Sequence, residues 1–112
     1  MLELVVKAAD SKRAEDIVAL DVTTVSLLAD YFVICHGNSD KQVMAIANEI
    51  IEESHKNQVE VKRIEGKESA RWVLIDLGDI IVHVFHSEER EFYNLEKLWS
   101  DAPLVTISSM VD

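Results

Sequence analysis

Four histidines are the residues of this chain best suited to acid–base chemistry or metal binding: His36, His55, His83 and His86. His83 and His86 are three residues apart in a run that predicts a strand. Their side chains should therefore point to opposite faces, where they cannot simply share a metal ion. The one cysteine, Cys35, stands inside an apolar run and is typical of a small core residue. We expect no metal site and no cofactor.

Nucleotide transfer is the enzyme hypothesis that the residues leave open. Residues 37–39, Gly-Asn-Ser, precede a predicted helix and could hold a phosphate, because free backbone N–H groups and the helix dipole favour anions. Asp76 and Asp79 are the available pair of metal-binding carboxylates. They flank a predicted turn instead of alternating along one strand, and no basic cluster stands near them to hold a triphosphate. A turn and helix cap explain residues 37–39 at least as well, so we predict no catalytic residue.

The segment 72–85, WVLIDLGDIIVHVF, predicts a β-hairpin around the two-residue turn Gly78-Asp79. Such a turn sets the register and divides the side chains between two faces. One face is wholly aliphatic, and it pairs Leu77 with Ile80, Ile75 with Val82, and Val73 with Val84. The other face pairs Trp72 with Phe85, Leu74 with His83, and Asp76 with Ile81. This second face is either an interaction surface or a surface that a helix covers, with Trp72 in the core.

The rest of the chain predicts three helices and three more strands. Apolar residues recur at helical spacing in the first dozen residues and over 40–56, and a third helix should begin near Ser87 and carry Phe92, Leu95, Leu98 and Trp99 on its apolar side. Strands are predicted at 16–22, at 31–36 in a central position, and at 59–64 on an edge. A polar loop follows at 65–70. The fold class is therefore α/β: a sandwich with a mixed sheet of about five strands and flanking helices.

Two helix caps are also predicted. Ser39 and Gln42 have the spacing of a capping box, in which each side chain accepts a hydrogen bond from a free backbone N–H group. Ser87 precedes a first turn rich in carboxylates, which suits the positive end of a helix.

The composition favours a single acidic domain. The chain has 112 residues and a formal net charge of -10, from 21 acidic and 11 basic side chains. This charge opposes direct binding to nucleic-acid phosphates or to anionic membranes, and it permits docking on a basic protein. The first residues do not have the pattern of a signal peptide, no apolar run is long enough to span a membrane, and one cysteine allows no internal disulfide. We expect a cytoplasmic protein.

Several blocks of the sequence, in order and with short spacers, resemble one protein family. They are EDIVALDV (15–22), ADYFVIC (29–35), GNS (37–39) followed by QV (42–43), EG (65–66), the hairpin 72–85, and YNLEKLW (93–99). Together they resemble the ribosomal silencing factor family, RsfS, also called YbeB or iojap-related. The likeness extends from the first helix to about residue 102. We therefore expect a domain over 1–102 and a tail, 103–112, to which we assign no role.

The resemblance implies a fold related to nucleotidyltransferases that lacks their catalytic pattern. It also implies binding to the large ribosomal subunit through ribosomal protein L-fourteen, on the face that meets the small subunit. Occupying that face would block subunit joining and repress translation when nutrients are scarce. Members of the family also form homodimers in isolation, so we expect a homodimer when the protein is free.

The tryptophan at the family's contact with L-fourteen falls on Trp72. Eight neighbouring positions are carried over with it as partner-binding residues: Glu65, Gly66, Glu68, Ser69, Leu74, Asp76, His83 and Phe85. In this hypothesis Trp72 and Phe85 anchor the contact, and polar side chains surround them.

Overall fold

A computed structural model of the chain describes residues 1–94, 97 and 100–107. The helices and strands follow one another in the order that the sequence predicts, with one additional strand at the end. The elements are α1 (Leu2–Ser11), β1 (Glu15–Asp21), β2 (Tyr31–Gly37), α2 (Asp40–Lys56), β3 (Arg63–Glu65), β4 (Trp72–Asp76), β5 (Ile80–His86), α3 (Ser87–Tyr93) and β6 (Leu104–Val105).

The strands form one mixed sheet in the order β3-β4-β5-β2-β1-β6. Among the strands of the described residues, only β2 and β5 are parallel, and every other neighbouring pair is antiparallel. This confirms the α/β class with a mixed sheet and the central position of β2. The predicted count of about five strands was one short, because Leu104 and Val105 pair with Leu20 and Ala19 at the edge beyond β1.

The two longer helices cover one face of the sheet. Val5, Ala8 and Ala9 of α1 are buried, and α2 buries a stripe that includes Val43, Ile46, Ala47 and Ile50. These stripes pack on strand residues such as Val33, Cys35, Val73 and Val82, all with no exposed surface. We call the opposite side the open face; it has its own apolar cluster, which includes Leu20, Phe32, Ile34, Ile81 and Phe85.

The predicted hairpin is confirmed: five of its pairs form the β4–β5 ladder, and the amide of Leu77 donates to the carbonyl of Ile80 at 2.9 Å. Trp72 lies opposite Phe85, Leu74 opposite His83, and Asp76 opposite Ile81. Gly78 has a φ of +92°, which the first central residue of a type II′ turn requires. The six aliphatic residues of the other face are all buried under the helices.

The predicted edge strand at 59–64 was largely wrong. Only Arg63–Glu65 form a strand, although it does lie at the sheet edge. Gln58 turns the chain at the end of α2 with a φ of +61°, and the amide of Val59 still bonds to the carbonyl of Ser54. Val59 and Val61 each pack on the helix-covered core, which accounts for the alternation of apolar and polar residues in this segment.

The two predicted caps differ in detail from the structure. Ser39 does cap α2, since its hydroxyl accepts from the amide of Gln42 at 3.1 Å. The side chain of Gln42 accepts from the amide of Asn38 at 2.8 Å, one residue before the cap. At α3 the predicted cap was wrong: the side chain of His86 accepts from the amide of Glu88, and Ser87 is already helical.

Helix α3 is held to the sheet by a buried arginine. Arg90 donates to the carbonyl of Asp16 at 2.6 Å and lies 3.0 Å from Nδ1 of His36. The helix ends at Tyr93, where Asn94 adopts a left-handed conformation. Phe92, which was predicted on the apolar side of this helix, is 80% exposed. The other residues predicted for that apolar side, Leu95, Leu98 and Trp99, lie outside the described residues.

Candidate partner-binding surface

Trp72 begins strand β4 and lies half-buried on the open face of the sheet. Its ring stacks on that of Phe85, with the centroids 4.8 Å apart, because the hairpin register places these two residues opposite each other. Tyr93 contacts Trp72 from helix α3, at a centroid distance of 4.7 Å. The indole is therefore fixed between two aromatic rings and keeps part of its surface exposed.

A hydrogen bond also fixes the indole. Its N–H group donates to Nδ1 of His83 at 3.1 Å. Because Nδ1 accepts, the proton of the neutral imidazole lies on Nε2, which is buried and has no hydrogen-bond partner among the described residues. Burial lowers the pKa of His83 to about 4, which favours this neutral form. His83 also packs edge-on against Phe32, with the ring centroids 5.1 Å apart.

Four of the predicted partner-binding residues line one surface cleft. Glu65, Gly66, Trp72 and Leu74 enclose about 320 Å³. The pairing of β3 with β4 explains their proximity, since it sets Glu65 opposite Leu74. Gly66 has a φ of +84°, and a side chain at this position would collide with the backbone carbonyl of Trp72. Glycine is thus required for the close approach that forms the cleft wall.

The other predicted residues lie around or beneath the cleft. Glu68 and Ser69 are exposed in the loop before β4, where the hydroxyl of Ser69 donates to the carbonyl of Gly66. Asp76 lies at the far end of β4, and its carboxylate accepts from the amide of Gly78 at 2.8 Å. Phe85 is fully buried and His83 is 6% exposed, so both support Trp72 from below and present almost no surface.

Arg71 and Tyr93 join this region although the sequence analysis selected neither as a site residue. Arg71 forms ion pairs with Glu88 at 2.8 Å and Glu89 at 3.1 Å, which tie the start of β4 to α3. Its guanidinium holds the pKa of Glu88 below its usual value, chiefly through their hydrogen bond. Tyr93 is 45% exposed beside Trp72. The sequence feature that could have indicated Tyr93 is the adjacent aromatic pair 92–93, which follows an acidic helical turn.

The geometry opposes the nucleotide-transfer hypothesis. Residues 37–39 lie at the carboxyl end of β2, whose last residue, Gly37, pairs with His86. Asp79 lies at the other end of this strand pair, since its carbonyl accepts from the amide of Tyr31. The seven residues of β2 separate the two places by about 20 Å. The proposed phosphate cradle and carboxylate pair therefore cannot serve one substrate.

Two further properties of the described residues bear on the kind of site. Within them, no three His, Cys, Asp or Glu side chains are placed to hold a metal ion together. None of the helices in the described part of the chain combines the length and apolar character needed to cross a membrane.

These features define an α/β protein with a mixed sheet, the two longer helices on one face, and the short helix α3 beside an aromatic-lined cleft on the other. The model of the family described as "Ribosomal silencing factor during starvation" (RsfS) matches residues 1–112. The chain belongs to this family.

Individual relatives agree with this assignment. The chain is 61% identical to the ribosomal silencing factor RsfS of Bacillus subtilis, over 96% of this chain and 91% of the relative. It superposes on a crystal structure of a Bacillus halodurans protein with a TM-score of 0.85 and 57% identity, over 94% and 95% of the two chains. It is also 32% identical to a mouse protein named "Mitochondrial assembly of ribosomal large subunit protein 1", over 88% of this chain and 45% of the mouse protein.

Proposed function

We propose that this protein binds the large ribosomal subunit through ribosomal protein L-fourteen and sterically blocks joining of the small subunit, which represses translation under nutrient limitation. Membership of the silencing-factor family supports the ribosomal role. The name of the mouse relative refers to the large subunit in particular. The observation that supports a particular binding site is the half-exposed side chain of Trp72, which is fixed in an aromatic cluster on the open face.

The structure of this surface suits an anchor residue. Interfaces derive most of their affinity from a few large, well-packed side chains with polar residues around them. Trp72 is held by Phe85, Tyr93 and His83, so little side-chain entropy remains to be lost when a partner covers it. Leu74 extends the apolar surface, and Glu65 provides a charged rim. Phe85 and His83 act as supports, while Asp76 lies at the edge of the proposed contact.

The charge of the chain favours the same kind of partner. A net charge of -10 attracts a basic ribosomal protein and repels exposed RNA phosphates. Binding should therefore be faster at low salt, because the steering is long-ranged and is screened by ions. In this proposal the protein is a cytoplasmic, non-enzymatic repressor, and it forms a homodimer when it is not on the ribosome.

The test is co-sedimentation of the purified protein with large ribosomal subunits. Trp72→Glu should lose binding, since a carboxylate would have to be desolvated in the contact. Leu104→Glu is the matched control, because it adds the same charge at an exposed leucine on the opposite edge of the sheet. It should bind like the wild type. Circular dichroism should show that both variants are folded.

A second measurement addresses the silencing step. Light scattering should show that the wild-type protein slows the association of purified small and large subunits and that Trp72→Glu does not. If folded Trp72→Glu still co-sediments, the site is wrong; if the wild type itself fails to co-sediment, the ribosomal proposal is wrong. Calorimetric heat on adding a nucleotide with Mg²⁺ would favour the enzyme alternative instead.

A further inference from the structure

The loop between β1 and β2 displays two leucines far from the Trp72 cleft. Leu27 is 104% exposed and Leu28 is 82% exposed. The residues at the two ends of the loop, Val22 and Ala29, are buried in the apolar cluster of the open face. Two adjacent leucines with this much exposure form an apolar patch on the surface, which is a feature of contact sites.

Local hydrogen bonds build the loop that presents these leucines. The amide of Ser26 donates to the carbonyl of Val22 at 2.8 Å, and the amide of Leu28 donates to the hydroxyl of Ser26 at 3.1 Å. At the start of the loop, the carboxylate of Asp21 accepts from both the amide and the hydroxyl of Thr23. The exposure of Leu27 and Leu28 is thus the outcome of a defined series of turns.

Two carboxylates lie at the base of the same loop, that of Asp30, two residues after Leu28, and that of Asp79 in the neighbouring hairpin turn. The amide of Asp30 donates to the carbonyl of Asp79 at 2.8 Å, which joins the loop to the hairpin turn. A cleft of about 300 Å³ lies here; Asp30 and Asp79 line it together with Met1, Leu2, Tyr31 and Ile80. Both aspartates are exposed, and neither forms an ion pair within 4 Å among the described residues.

We propose that Leu27, Leu28 and the carboxylates of Asp30 and Asp79 form a second docking surface, whose occupant is a basic segment of a partner protein that carries an apolar side chain beside Lys or Arg. The apolar side chain would pack on the leucines, and the cation would lie in the cleft between the carboxylates. This inference does not depend on the role proposed for Trp72.

The charge of this surface favours a basic protein segment over RNA, an anionic lipid surface or a second copy of the chain. Phosphates of RNA and of anionic lipids would be repelled by the two aspartates. A second copy of the chain, related by a two-fold axis through this surface, would bring the same carboxylates together. The chain after Leu104 does not lead here, because β6 runs antiparallel to β1 and therefore away from the loop.

The position of the surface allows it to act together with the Trp72 cleft. The loop adjoins the Tyr31–Ile80 end of the β2–β5 pair, whereas Phe85, beneath Trp72, lies near the other end. The two surfaces are therefore about 17 Å apart along the strands. Because two leucines and a small cleft offer much less area than a standard interface, binding here should be weak alone and should add to a contact made elsewhere.

The experiment uses the full chain, labelled with ¹⁵N, and two synthetic peptides of equal length. One peptide alternates Leu with Lys, and the other alternates Leu with Glu. The basic peptide should shift amide resonances in the segment 22–31 and at Asp79, while the acidic one should not. Two double variants should each weaken binding of the basic peptide at least tenfold: Leu27→Ser/Leu28→Ser and Asp30→Asn/Asp79→Asn. Phe92→Ser, which removes an exposed apolar side chain on α3, should leave binding unchanged.

Several outcomes would overturn the proposal. They are no shift with either peptide, equal shifts with both, or binding of the basic peptide that survives the leucine double variant. Flotation with phosphatidylglycerol vesicles would show a lipid surface instead, and self-association abolished by Leu27→Ser/Leu28→Ser would show a dimer interface. These results are separate from ribosome binding, since the peptide assay requires no ribosome and Trp72→Glu should leave it unaltered.

Discussion

Trp72 and His83 are joined diagonally across the β4–β5 hairpin by a hydrogen bond of 3.1 Å from the indole N–H to Nδ1. The only polar group of the indole is therefore satisfied inside the protein. A partner that covers Trp72 meets its hydrocarbon surface, so it should offer an apolar pocket and no acceptor for the indole. This arrangement also makes the geometry of Trp72 depend on the protonation state of His83.

The first prediction concerns stability in mild acid. The pKa of His83 is lowered from 6.5 to about 4 by burial, so between these values the unfolded chain binds a proton that the folded chain does not. The free energy of unfolding should therefore fall as the pH drops from 6.5 to 4, by up to about 3 kcal/mol from this group, and should be unaffected by it above pH 6.5.

Urea unfolding at pH 7 and at pH 4.5 measures this loss. His83→Asn has no titrating group at the position and should lose less stability between the two pH values than the wild type does. Equal losses in the two proteins would assign the acid sensitivity to other groups.

The second prediction concerns the ring beneath Trp72. Phe85 has no exposed surface, so Phe85→Ala should leave a cavity and lower the free energy of unfolding by about 3–5 kcal/mol. Phe92→Ala makes the same chemical change at a ring that is 80% exposed, and it should cost no more than about 0.5 kcal/mol. Urea unfolding of the two variants decides the matter: similar losses would mean that Phe85 is not the support described.

The third prediction concerns the glycine in the cleft wall. Gly66→Ala should be more destabilising than Gly78→Ala by at least about 1 kcal/mol. Both residues have positive φ, of +84° and +92°, so both substitutions cause backbone strain. Only at Gly66 would the new methyl group also strike backbone, the carbonyl of Trp72; at Gly78 it meets the flexible side chain of Lys62.

Denaturation midpoints compare these two variants, and near-ultraviolet circular dichroism reports whether the aromatic cluster has moved. Gly66→Ala should alter the aromatic signal and Gly78→Ala should not. A larger stability loss in Gly78→Ala would contradict the close approach of Gly66 to Trp72.

The fourth prediction concerns the buried thiol. Burial raises the pKa of Cys35 from 9.0 to about 12, so the thiolate that reacts with alkylating reagents is roughly a thousandfold rarer at pH 8 than for an ordinary cysteine. Iodoacetamide should modify Cys35 slowly in the native protein and quickly in urea, as mass spectrometry can follow. Fast labelling without denaturant would show that the centre of the sheet opens readily.

The hairpin could be predicted in full because its information is local: a Gly-Asp turn and two alternating segments define the register residue by residue. The cap of α3 was misassigned because Ser87 has the usual residue type, whereas the extended backbone of His86 places its imidazole at the helix end. Strand β6 has two residues and gives no periodic signal; it exists because β1 offers a free edge.

The candidate site, like the fold, could be predicted from the sequence only in part. The family resemblance grouped Glu65, Gly66, Trp72 and Leu74, and the β3–β4 register explains why they share a cleft. How much of Trp72, Leu74 and Phe85 is exposed stayed open at the level of sequence, because depth depends on what α3 brings over the sheet. The contact of Tyr93 with Trp72 is such a case.

The parallel pairing of β2 with β5 has a kinetic consequence. It joins two antiparallel units, β1–β2 and β3–β4–β5, and each residue of β2 meets one roughly fifty positions later in the chain. The hairpin can form early because its contacts are local, but closing this long segment costs chain entropy before any contact across it forms. We expect docking of the two units to limit the folding rate, so substitutions at Val33 or Val82 should slow refolding more than substitutions near Gly78.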